Sequence, residues 1–169
     1  MRLALIALIV ATSTIVAEDE LLQNAAVVFA DAVDTPAAAI SAAVLMRASA
    51  IAVIPGAVRD GSRYYGKGVM SARGARLEYW SPPAIIAFEG AIPLALDNGT
   101  ADFVVIAQTR RGLDHLLSGR LGSALSRPVA AGAIGHSSPA RIDADLVGYI
   151  HFNGYFAGVT IDDWAVNDL

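Results

Sequence analysis

Two hydrophobic periods run along the chain, and one gives way to the other near Pro55. Residues 3–11 form an unbroken apolar run, residues 12–17 are small or apolar, and Glu18, Asp19 and Glu20 follow at once. With Arg2 ahead of it, a run of this length predicts a cleaved export signal over residues 1–17, cut after Ala17, because it falls far short of the ~20 residues that span a bilayer. The competing reading is an N-terminal core helix or strand. From Glu20 to Val33, Leu21, Leu22, Ala25, Val28, Phe29 and Ala32 keep helical spacing. Asp34, Thr35 and Pro36 then signal a second helix start, over residues 37–48. The stretch 36–55 is the other long apolar run, but Arg47 lies inside it and Pro55-Gly56 ends it, so it reads as a buried helix entering a strand. Beyond Pro55, short apolar runs alternate with turn residues. Strands are expected over 66–73, 76–80, 84–89, 103–108, 129–134, 145–152 and 156–161. One helix interrupts them, capped by Thr109, with Leu113, Leu116 and Leu117 as its stripe and Gly119 at its end. Short strands with helices grouped apart predict an α+β fold: a mainly antiparallel sheet, open or barrel-like, with N-terminal helices and one further short helix.

Composition narrows the function. The 169 residues are 55% hydrophobic and 17% charged, with mean hydropathy +0.52, which suits one packed domain over residues 18–169 and excludes intrinsic disorder. Absence of cysteine removes disulfides, thiolate metal sites and a lipoprotein anchor. The net charge is −4, and becomes −5 without the leader, since Arg2 is its only charge; the body as a whole is therefore no nucleic-acid binder.

Candidate chemistry is sparse. His115, His136 and His151 lack metal-ligand spacing. His136 with Ser137 and Ser138 lacks the G-x-S-x-G elbow of a hydrolase, and turn serines explain it. Asp143, Asp145, Asp162, Asp163 and Asp168 lack EF-hand spacing and read as solvated acids beside strand ends. Gly154 and Gly158 make a GxxxG outside any long apolar helix, and Gly66-x-Gly68 reads as a tight turn into a strand. No enzyme, metal or cofactor is expected.

Charge is unevenly distributed. Residues 47–76 hold Arg47, Arg59, Arg63, Lys67, Arg73 and Arg76 against Asp60 alone, whereas residues 143–169 hold five acids and no Lys or Arg. Interleaved with the cations are Tyr64, Tyr65, Gly66 and Gly68. Guanidinium groups match phosphate oxygens and tyrosines suit a membrane interface, so a basic, glycine-flexible loop over residues 59–76 reads as a head-group binder. An ordinary solvated loop in an arginine-rich chain is the competing explanation, as eleven of the twelve basic residues are Arg.

The stretches Ala50-Ile51-Ala52-Val53-Ile54-Pro55-Gly56, Gly66-Lys67-Gly68-Val69-Met70 with Arg73, Trp80-Ser81-Pro82-Pro83, Asp102-Phe103-Val104-Val105-Ile106, Leu121-Gly122, and Tyr149 with Gly154-Tyr155-Phe156-Ala157-Gly158-Val159 occur in that order. In them the chain resembles the SYLF domain, a lipid-binding domain of bacterial exported proteins and eukaryotic endocytic adaptors, over roughly residues 22–168. The resemblance implies non-catalytic binding of membrane lipid. Phosphoinositide and actin binding, found in eukaryotic members, are not expected of an exported protein of prokaryotic type. Pro93, Ala95 and Asp97 depart from a glycine- and serine-rich strand of that family, which bears on the ligand. The expectation is thus an exported, periplasmic or envelope domain. Arg59, Arg63, Lys67 and Arg73 meet phospholipid phosphates, with Tyr64, Tyr65 and Trp80 at the interface and the first helices alongside. Two rivals are a carrier of an apolar ligand in an internal cavity, and a structural envelope module that binds a protein partner through a sheet edge.

Overall fold

A computed structural model describes residues 2–34, 40–74, 79–91, 99–118, 145–152, 155–159 and 162–168. The elements are α1 (Arg2–Asp34), α2 (Ala42–Arg47), β1 (Ala50–Asp60), β2 (Arg63–Ala72), β3 (Ala84–Ala91), β4 (Thr100–Ala107), α3 (Arg110–Leu117), β5 (Leu146–Phe152), β6 (Tyr155–Val159) and β7 (Asp162–Asp168). The seven strands form one sheet in the order β6-β5-β4-β1-β2-β3-β7, and every neighbouring pair is antiparallel. The fold is α+β and the sheet is not closed, with β6 and β7 as its edges among the described residues, so the barrel-like alternative does not apply.

Strand alternation sends side chains to two faces, and both are covered. On the inner face Ala52, Ile54, Tyr64, Phe88, Phe103, Val105, Ile150 and Val166 pack with Leu113 and Leu116 of α3. Because α3 packs against both β4 and β7, which are far apart in the strand order, the sheet must curl around it. On the outer face Val53, Val104, Ile106, Val147 and Tyr149 pack under Ala25, Val28 and Ala32 of α1 and Val44 of α2. Burial pushes the Tyr149 phenol up to about 12.

The expected helix over 20–33 lies within α1, which continues through Ala17. Its buried side chains among the described residues all fall C-terminal to that position. Among the described residues no helix is long and apolar enough to cross a membrane. The second helix is shorter than expected, six residues capped by Ser41, whose Oγ faces Val44 N. The chain then enters an eleven-residue strand that passes straight through Pro55 and Gly56. The pairing register shifts there, on both sides of β1, so Pro55 occupies a bulge, where its missing donor is tolerated. Asp102 anchors the bulge: its Oδ1 accepts Gly56 N–H at 2.7 Å and its Oδ2 lies 2.9 Å from His151 Nδ1. His151 therefore belongs to this cross-strand pair rather than to solvent alone. Asp162, Asp163 and Asp168, expected beside strand ends, lie within strand β7. The expected strand over 129–134, His136, Ser137, Ser138 and Asp143 lie outside the described residues, as do 76–78 of the expected strand 76–80.

The start of α3 is tied to β5 by one carboxylate. Thr109 Oγ1 accepts Gly112 N–H at 3.0 Å and donates to Asp145 Oδ1 at 2.6 Å. Arg111 Nε donates to Asp145 Oδ2 at 2.7 Å. Burial raises the Asp145 carboxyl, yet the bonds from Thr109 and Arg111 together outweigh it and hold it below the ordinary carboxylate range. A depressed carboxylate contributes stability above its unfolded value, about 4, and loses it as pH falls through the folded one. Comparing urea midpoints of wild type and Asp145→Asn, we expect wild type to be more stable by about 1 kcal/mol at neutral pH, given the exposure of Arg111. That gap is expected to close below about pH 4. A gap independent of pH would show that the carboxylate charge contributes nothing.

Candidate lipid-contact surface

The described part of the basic stretch, residues 59–74, is not a loop. It holds the β1–β2 hairpin and the length of β2, which contains most of the strand expected over 66–73, and the strand separates its cations. Directly opposed residues share a face. Arg59 pairs with Tyr64, so both belong to the inner face, and Arg59 Nε donates to Gly61 O at 2.8 Å. Tyr64 is wholly buried, with its ring edge-on to Phe103 at 5.4 Å, and burial raises its phenol while Arg59 draws it back. It is a core residue, which corrects its expected place at a membrane interface.

Arg63, Tyr65, Lys67 and Arg73 fall on the outer face by the alternation of β2. Arg63 Nε is 2.6 Å from Glu89 Oε1, so its charge is matched locally. Tyr65 is 40% exposed and stands opposite Val58, while Lys67 is exposed beside them. Ten residues of strand separate Arg63 from Arg73, or about 33 Å. The four expected phosphate contacts therefore do not form one patch: Arg59 faces inward, Arg63 is paired, and Arg73 belongs to the opposite end.

That opposite end is where exposed apolar groups and guanidinium groups coincide. Arg73 forms a bridge with Trp80, and its guanidinium carbon lies 4.9 Å from the Trp80 ring centroid. The same guanidinium reaches Met46 O and Leu45 O, each at 3.5 Å, the last carbonyls of α2, where a cation offsets the negative end of the helix. Ser81 braces the bridge: Ser71 Oγ donates to Ser81 O at 2.6 Å and Ala72 N to Ser81 Oγ at 3.1 Å. Around this joint Met46 is 71% exposed, Tyr79 77% and Trp80 40%, with Arg47 exposed in the last turn of α2. Among the described residues no ion pair joins Arg47 or Arg73 to a carboxylate.

Met46, Arg47 and Tyr79 were not among the expected site residues. Arg47 is legible in the sequence as one of the clustered cations, whereas Met46 lies in a run that reads as a buried helix. Tyr79 gave no signal beyond its place beside Trp80. Arg76 lies outside the described residues. Among the described residues no cluster of three or more His, Asp or Glu could hold a metal.

No family model matches the chain, and comparisons with curated proteins and with solved structures found no match.

Proposed function

We propose that the chain is an exported, non-catalytic domain that docks on anionic phospholipid through the end of the sheet where α2 meets Arg73 and Trp80. The observation that carries this reading is the Arg73 guanidinium held over the Trp80 ring beside exposed Met46 and Tyr79. Amphipathic rings and a methionine suit the headgroup boundary, and guanidinium groups match phosphate oxygens. Arg73 is preoriented by the α2 carbonyls and Trp80, so less side-chain freedom is lost when phosphate binds. Each cation near a charged surface contributes about 1 kcal/mol, so binding is modest and falls with salt. The acidic body opposes approach in any other orientation. The resemblance to SYLF domains supports the same class of ligand, and the hairpin end, with Arg63 matched by Glu89, is the weaker candidate.

Co-sedimentation with phosphatidylglycerol vesicles at low and high salt tests the proposal. Met46→Ser with Arg47→Glu is expected to weaken binding roughly tenfold or more, by removing an apolar contact and reversing a charge. Arg63→Ala with Lys67→Ala is expected to bind like wild type. Equal pelleting of all three proteins would overturn the assignment of this end. Salt-independent retention of a hydrophobe would instead select the carrier.

A further inference from the structure

The two edges of the open sheet are chemically unlike. β7 carries three aspartates in seven residues, a common protection against edge-to-edge pairing. β6, Tyr155-Phe156-Ala157-Gly158-Val159, has no charge and no proline. Among the described residues it pairs with β5 alone. The donors and acceptors that β5 leaves unused follow from the register. Phe152 pairs with Tyr155 across a two-residue connection, which makes them the hydrogen-bonded pair that closes the hairpin. Hydrogen-bonded and non-bonded pairs alternate along an antiparallel ladder, so Tyr155, Ala157 and Val159 direct their backbone groups to β5. Phe156 and Gly158 direct theirs outward.

We infer that β6 is the homodimer interface, pairing antiparallel with β6 of a second copy about a two-fold axis at Ala157. In that register Phe156 of each copy exchanges both backbone hydrogen bonds with Gly158 of the other, and the two Ala157 residues form the non-bonded pair between them. This strand is self-complementary for that arrangement. The pair of closest approach, about 4.5 Å between Cα atoms, falls on a residue with a single methyl, and glycine flanks it. A neutral edge meets its own copy without like-charge repulsion, whereas two β7 edges would bring rows of aspartate together. A second copy is thus the occupant that the edge favours. A five-residue edge is a small interface, so the dimer is concentration-dependent.

Single-cysteine cross-linking of the full chain tests this directly, because the protein has no cysteine of its own. Ala157→Cys is expected to give a covalent dimer as the main species under mild oxidation, since the Cα spacing falls in the disulfide range. Tyr155→Cys and Val159→Cys, displaced from the axis in opposite directions, are expected to stay monomeric. Gly158→Pro removes an outward N–H and leaves the β5 ladder intact, so it is expected to shift sedimentation from dimer to monomer. Its fold is checked by an unchanged circular dichroism spectrum, and if it fails to fold the cysteine series decides alone. Monomeric Ala157→Cys would overturn the proposal, with an unreactive thiol indicating that this chain covers its own edge. Stronger cross-linking at Tyr155→Cys or Val159→Cys would overturn the axis at Ala157.

Discussion

Gly112→Ala is expected to destabilise the fold by about 3 kcal/mol, measured by chemical denaturation. Helix propensity alone gives the opposite sign, because alanine is favoured over glycine inside a helix by about 1 kcal/mol. The neighbouring chain decides the outcome. A Cβ at Gly112 would overlap the carbonyl oxygen of Asp145 and stand 2.9 Å from its carbonyl carbon. That oxygen cannot move alone, because it accepts Gln108 N–H at 2.8 Å and its side chain holds Thr109 and Arg111. Relieving the overlap means pushing α3 off the start of β5, which would draw Leu113 and Leu116 from the inner core. Gly99→Ala serves as control, since nothing lies within 4 Å of a Cβ there, and a change within about 0.5 kcal/mol is expected. A neutral or stabilised Gly112→Ala would mean that α3 does not seat against Asp145 as described.

What the sequence revealed depended on how local each signal was. β3, β4, β5 and the Thr109 cap of α3 were legible because their alternation and capping lie within a few residues. The path of β1 was not, because Pro55-Gly56 is a chain-breaking pair that becomes a bulge only through Asp102, forty-six residues away. The candidate site failed in a more instructive way. Treating residues 59–76 as a flexible loop discarded the period-two rule. That rule alone puts Tyr64 on one face and Arg63, Tyr65, Lys67 and Arg73 on the other. Strand parity was available in the sequence; the Glu89 partner of Arg63, the inward turn of Arg59 and the reach of Arg73 to α2 were not, because each depends on pairing across separate strands or helices. Trp80 is exposed, and its partner Arg73 brings Met46 and Arg47 to the same end of the sheet; the sequence shows Arg47 among the clustered cations, whereas the segment of Met46 reads as core.

Gly68→Ala separates the loop from the strand by sign. In a flexible loop the substitution stabilises by about 0.4–1 kcal/mol, since alanine restricts the unfolded chain more than the folded one. Within β2 we expect a loss of about 2–3 kcal/mol. A Cβ there would point at the β1 bulge, 2.5 Å from Val53 O, 2.7 Å from Ile54 Cγ1 and 3.1 Å from Ile54 Cα. Ile54 is wholly buried on the inner face, so neither its side chain nor the ladder carbonyl beside it has room to retreat. Gly66→Ala meets Ala57 and Ile54 only at 3.1 Å and is expected to cost less. The ordering Gly68 above Gly66 above Gly99 in denaturant midpoint shifts therefore reads out how closely the bulge leans on β2. The same bulge lies opposite residues 66–68, midway along the outer-face row from Arg63 to Arg73, so a Gly68→Ala protein that stays folded is expected to lose register near Val69 and Met70 before it loses the hairpin turn. Amide hydrogen exchange that accelerates first at those two residues would locate the strain there, whereas faster exchange confined to residues 61–62 would favour the loop.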